Sequence, residues 1–185
     1  MKRLLVLLCV LISLSADGQS RLKKFLALEN KAELEVLDLH RCKLKDLPES
    51  LKECQALKEL DLSQNELESL PSFIAELKNL EVIYLGRNSF RQIPEILALC
   101  PSLREIHLDR NPIDSLNQNI LDFKLLELLD LWDCKIEFIE PKICQHPSLR
   151  QLDIRQNYLG TRDIKWLLDC ATGWEIESTW GCDCD

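Results

Sequence analysis

Glycine, aromatic residues, long apolar runs and basic runs are all scarce in this sequence. Its five glycines form neither a Walker A loop nor a Gly-rich dinucleotide loop. GxSxG and HExxH are missing too, and His40, His107 and His146 stand far apart in the chain. No motif supplies a converging nucleophile, base and stabilising group, so the reading is of a non-enzyme with no cofactor and no metal. His107 near Asp109 and Asp130 suggests acid–base work at first sight, but a polar surface explains it better. After the first twenty residues no apolar stretch approaches the roughly 20 residues needed to span a bilayer. The formal charge of −8, with acids and bases interspersed, disfavours nucleic acid as a partner. At 46% hydrophobic and 29% charged, the chain has the composition of a folded protein.

The amino terminus reads differently. Lys2 and Arg3 precede an apolar run from Leu4 to Leu14, and small or polar residues follow. A basic start, a short apolar run and small residues are the layout of a secretory signal peptide. Ala16-Asp17-Gly18 sets up a cut before Gln19, and Ser13-Leu14-Ser15 sets up one before Ala16. Cys9 lies inside the apolar run, which makes it a poor lipid-anchored cysteine. The expectation is a signal peptide over 1–18 and an exported protein, secreted, periplasmic or on the cell surface. A retained amino-terminal capping helix and a cytoplasmic location are the alternative.

What is abundant is leucine, and it is periodic. LEVLDLHRCKL begins at Leu34 and LKELDLSQNEL at Leu57, followed by copies at Leu80, Leu103, Leu126 and Leu149. Every interval is 23 residues. The first half of each copy alternates with the period of a short strand. The second half, as in LKDLPESLKECQA, changes to helical spacing after a Leu-Pro pair.

The pattern L-x-x-L-x-L-x-x-N/C-x-L identifies the chain as similar to the leucine-rich repeat family. Its LPxxL second half resembles repeats of Ras-suppressor-like and scaffold proteins, over about residues 34–159. The resemblance implies an α/β solenoid, or horseshoe, with a parallel concave sheet, short helical or 3₁₀ convex segments and terminal caps. The expected organisation is an amino-terminal cap over 19–33, six repeats over 34–159, and a carboxy-terminal cap over 160–185. In that cap Thr161 is the expected helix N-cap, Ile164, Leu167, Leu168 and Ala171 form one face, and WEIESTW alternates as an edge strand. The resemblance also implies protein–protein recognition, with protein or peptide as the partner. For a retained chain it implies a signalling scaffold contacting small GTPases or similar partners. A purely structural surface or adhesive component is a third reading.

Register also sorts the cysteines. Cys42 and Cys134 fill the column occupied elsewhere by Asn65, Asn88, Asn111 and Asn157. Cys54 and Cys100 share a core column with Leu77 and Phe123, and Cys144 falls in the small-residue column of Ala75 and Ala98. All five read as packing. Same-column residues two repeats apart are ~10 Å from one another, beyond the reach of a disulfide. Cys170, Cys182 and Cys184 lie outside the repeats, where the sequence resembles the C-x-C opening of a disulfide-bonded carboxy-terminal flanking module. That resemblance implies a disulfide from Cys170 to Cys182 or Cys184. Free thiols and a metal site are the other readings.

On a leucine-rich repeat, alternate strand residues face the concave side. One such column reads Asp38, Asp61, Tyr84, His107, Asp130, Asp153, and the next reads His40, Ser63, Gly86, Asp109, Trp132, Arg155. Aspartate and serine are common family choices there; Tyr84, His107 and Trp132 are departures. With Arg87, Arg110, Asp130 and Arg155 they form the candidate partner-binding set, because Trp, Tyr and Arg are the side chains most often found at binding hot spots. Trp132 otherwise simply shields the sheet.

Overall fold

The computed structural model describes residues 17–179. The apolar leader over 1–16 and the tail cysteines Cys182 and Cys184 lie outside the described residues. Seven short strands form one parallel sheet: β1 (Val36–Asp38), β2 (Glu59–Asp61), β3 (Val82–Tyr84), β4 (Glu105–His107), β6 (Leu128–Asp130), β8 (Gln151–Asp153) and β9 (Glu175–Glu177). Their central residues align as Leu37, Leu60, Ile83, Ile106, Leu129, Leu152 and Ile176. All but Ile176 are buried, so one inward position per strand fixes the register across six repeats.

The return path of each repeat is a five-residue 3₁₀ turn. Glu49–Glu53, Ser72–Glu76, Glu95–Leu99, Gln118–Asp122 and Pro141–Gln145 each bury a single aliphatic side chain, Leu51, Ile74, Leu97, Ile120 and Ile143. Pro48, Pro71 and Pro94 precede the first three turns. Proline has no N–H to give a neighbouring repeat. At the next two repeats Asn117 and Glu140 stand there instead, and the Glu140 N–H donates to the Leu116 carbonyl at 2.8 Å. There a second small parallel ladder forms, β5 (Ser115–Leu116) against β7 (Phe138–Ile139).

The inward Asn column joins the repeats. Asn88 Oδ1 accepts the Leu67 N–H at 3.0 Å, while its Nδ2 donates to the Leu62 and Leu85 carbonyls at 3.0 Å each. Asn65, Asn111 and Asn157 repeat the arrangement. Every amide group is thus used inside an apolar core, where an unmade bond would cost about 1–3 kcal/mol. Cys134, in the same column, donates from Sγ to the Leu108 carbonyl at 3.4 Å.

Two helices close the ends. The first, α1 (Gly18–Leu26), buries Phe25 against the first repeat and begins one residue before the Gln19 start of the expected cap. The second, α2 (Thr161–Cys170), buries Ile164 and Leu167. Its N-cap is Gly160 and not Thr161; the Asp163 carboxylate accepts the Gly160 N–H at 3.3 Å. Leu168 is 38% exposed, so it lies outside the packed face that its spacing suggested. Among the described residues no helix is long and apolar enough to cross a membrane.

The cysteines need one correction. Cys170 is bonded to Cys144, with Cα atoms 5.8 Å apart, and not to Cys182 or Cys184. Cys144 is therefore more than a small packed residue. The last turn of α2 rests beside Pro141–Gln145, bringing together two cysteines that belong to different columns. Cys42, Cys54, Cys100 and Cys134 are buried and free. Burial pushes the Cys54 and Cys100 thiols up to about 11 and Cys134 to about 12, so these groups stay protonated and inert.

Candidate binding face

The concave face begins from a local rule. In four repeats the outward aspartate accepts the backbone N–H two residues ahead. These bonds are His40 to Asp38 at 3.0 Å, Ser63 to Asp61 at 2.8 Å, Trp132 to Asp130 at 2.9 Å and Arg155 to Asp153 at 3.0 Å. Such Asx bonds stiffen the exit from each strand. Asp130 is accordingly engaged in the scaffold as well as facing the groove. The third and fourth repeats give the bond up. Tyr84 and His107 replace aspartate there and stack on each other, with ring centroids 4.6 Å apart and planes 18° from parallel.

One strand further on, a second pair forms. Arg110 reaches across the repeat boundary so that its guanidinium sits 4.1 Å from the Trp132 ring centroid. Asp133 fixes the other side of that guanidinium, accepting from Arg110 Nε at 3.1 Å. Arg110 and Asp133 are held in the left-handed region, as are Arg41, Gln64, Arg87 and Gln156, with φ between 53° and 58°. This backbone, uncommon for non-glycine residues, recurs at each strand exit and throws a side chain onto the rim. Arg87 is exposed on that rim, and its guanidinium has no ion pair among the described residues. Arg155 is committed: its Nη2 lies 2.5 Å from Asp153 and 2.7 Å from Glu177.

Beside Tyr84 the sheet has a notch. A Cβ on Gly86 would lie 2.0 Å from Asp109 Oδ1, so only glycine lets that carboxylate lie across the third repeat. An open hollow of about 220 Å³ results, lined by Ser63, Gln64, Tyr84, Gly86, Arg87 and Asp109. Burial, and then the nearby Asp130 charge, raise the Asp109 carboxyl above the usual range. Burial acts the same way on Asp130, but it is outweighed. The His107 hydrogen bond, the Trp132 N–H and the His107 and Arg155 charges pull Asp130 below that range. A second hollow of about 190 Å³ lies beside it, over Leu128 and Leu152, with His107, Asp130, Asp153 and Glu177 among its walls.

Charge is sorted by column. The two columns within the strands, running from Val36 to Glu175 and from Asp38 to Glu177, hold Glu59, Asp61, Glu105, Asp130, Asp153 and Glu177 among their acids and contain no lysine or arginine. Arg41, Arg87 and Arg110 stand along the rim. Beyond the opposite edge another column alternates in sign as Glu35, Lys58, Glu81, Arg104, Glu127, Arg150, with Lys58 paired to Glu35 at 3.0 Å and Arg104 to Glu127. Asp38, His40 and Asp61 bring their ligand-type atoms within 4.8 Å of one another. That group is already knit internally, His40 Nδ1 lying 2.6 Å from Asp38 Oδ1, and Arg21 Nε approaches the same oxygen at 3.7 Å. A cation there would meet the arginine charge.

The leucine-rich repeat family profile matches residues 32–90 and again 57–113. Residues 32–113 are leucine-rich repeats. Leucine-rich repeat domains are typically non-catalytic and generally serve protein binding. A leucine-rich repeat protein of Leptospira interrogans superposes with a TM-score of 0.69 at 23% identity, over 78% of this chain and 37% of its own. The leucine-rich repeat domain of the type III effector XopL superposes at 0.70 with 20% identity, over 87% of this chain and 57% of its own. These likenesses concern the fold, and this chain spans well under two thirds of either relative. No curated protein matches the chain.

Proposed function

We propose that this leucine-rich repeat protein is exported and recognises a protein or peptide through its concave face. The observation that carries the reading is the loss of the Asx bond in two adjacent repeats. Tyr84 and His107 take the place of a scaffold aspartate there and stack beside the Arg110–Trp132 pair. Aromatic and arginine side chains held in one orientation before binding lose little entropy on contact. The acidic floor and arginine rim favour an extended partner segment whose basic side chains cross the strands and whose acidic groups meet Arg87.

Export is supported by the basic-then-apolar leader and by the Cys144–Cys170 disulfide, since such bonds persist mainly in oxidising compartments. Cross-linking in the native host, followed by mass spectrometry of the cross-linked peptides, tests both parts. The expected result is a reproducible extracytoplasmic partner joined to the concave face. A cytosolic partner would overturn export, and a partner joined only to the convex turns would overturn the binding face.

A further inference from the structure

The leader offers two cuts by sequence, before Ala16 and before Gln19, and the fold is not indifferent between them. Residues 17 and 18 are working parts of the first cap. Asp17 is the N-cap of α1: its carboxylate accepts the Gln19 N–H at 3.3 Å, and its carbonyl accepts those of Ser20 at 3.1 Å and Arg21 at 3.2 Å. Gly18 is buried against the first repeat. A Cβ there would lie 1.9 Å from the Arg41 carbonyl oxygen and 2.8 Å from the Cys42 nitrogen, both backbone atoms that cannot step aside. Its own carbonyl accepts from Cys42 Sγ at 2.9 Å, and Gln19 Nε2 donates back to the Cys42 carbonyl at 2.6 Å. Cys42 is 1% exposed under this cover.

We infer that the leader is removed by hydrolysis of the Ser15–Ala16 bond, leaving Asp17 and Gly18 as the clasp that closes the first repeat. The inference rests on the export reading. In that step an export-linked leader peptidase adds water across one peptide bond; Ser15 keeps the new carboxylate and Ala16 the new ammonium. Ser13 and Ser15 supply the small residues at the third and first positions before the cut. A cut before Gln19 removes the acceptors of three helix N–H groups and the acceptor of the Cys42 thiol together. It also sets an ammonium on the first turn of α1, at the positive end of the helix dipole and two residues from Arg21.

The full chain expressed from Met1 in cells with a secretory pathway gives the direct test, by intact mass and terminal sequencing of the exported protein. An Ala16 amino terminus is the expected result, and a Gln19 amino terminus overturns the inference while leaving export standing. A retained chain that still carries Met1 overturns the export reading and this inference with it. The physical basis has its own readout in purified chains beginning at Ala16 and at Gln19. Alkylation by iodoacetamide, located by peptide mapping, is expected to reach Cys42 about tenfold faster in the Gln19 form, as loss of an N-cap loosens the end of the solenoid. Failure of the Gln19 form to fold gives the same answer. Equal rates at Cys42 in two folded proteins overturn the role given to Asp17 and Gly18.

Discussion

The Arg110 guanidinium lies over the Trp132 ring, 4.1 Å from its centroid, and so ties the fourth repeat to the fifth on the concave surface. The contact fixes the orientation of the tryptophan before any partner arrives. Replacing Trp132 or Arg110 with alanine removes half of this pair and leaves the inward leucines untouched. Each change is expected to weaken partner binding by about 1–2 kcal/mol in calorimetry, with the circular dichroism spectrum unchanged.

Cys134 breaks the Asn ladder. In four repeats a residue 21 positions before the ladder amide donates its N–H to Oδ1, as Phe90 does to Asn111 at 3.0 Å; in the fifth repeat the ladder position holds a thiol in place of that amide oxygen. Cys134→Asn supplies the missing acceptor and is expected to stabilise the protein by about 1 kcal/mol in urea unfolding. A large destabilisation would show that the site has adapted to sulfur.

His146 is 5% exposed, in the core column of Cys54, Leu77, Cys100 and Phe123. Its Nδ1 accepts the Leu149 N–H at 3.0 Å, so Nε2 carries the proton toward the Ile120 carbonyl at 3.1 Å. Burial depresses its pKa in the folded state. The unfolded chain binds this proton near pH ~6.5, so the stability contributed by neutral His146 is complete above that pH. It is lost as pH falls from there through the folded value. Melting temperature should therefore drop on acidification below about pH 6.5, and His146→Phe should flatten that slope. An unchanged slope in the variant would assign the acid sensitivity to other groups.

The Cys144–Cys170 bond holds the last helix to the fifth repeat. Its sequence separation of 26 corresponds to a stabilisation of about 3.5 kcal/mol on loop-closure grounds. Cys170→Ser, or reduction of the intact protein, should lower stability by about that amount and raise hydrogen exchange across α2 ahead of the central repeats. Loss spread evenly over all six repeats would contradict so local a role.

Most of the scaffold is legible in the sequence because a 23-residue period repeats each packing decision six times. The inward leucines, the Asn/Cys column and the outward columns all follow from counting. Contacts between a repeat and a cap have no second copy to reveal them. Nothing in the sequence pairs Gly18 with the Arg41 carbonyl, or Cys144 with Cys170, because each joins a helix to a turn whose phase the repeat does not set. Asp130 looked like one more outward contact, yet its carboxylate also caps the Trp132 N–H, a role visible once the same bond is seen at Asp38, Asp61 and Asp153. The alternating column from Glu35 to Arg150 is written plainly at the 23-residue period and emerges only when the polar columns are aligned as carefully as the apolar ones.

Whether the concave face is the binding surface is tested most directly by site-specific photo-cross-linking. A photo-reactive residue is placed at position 151, exposed on β8, or at position 99, where Leu99 is 60% exposed on a convex turn. Neither change disturbs the Tyr84–His107 or Arg110–Trp132 pair. The expected result is one defined cross-linked partner from position 151, abolished by Trp132→Ala, and none from position 99. The same partner captured at 99 and not at 151 would contradict recognition through the concave face.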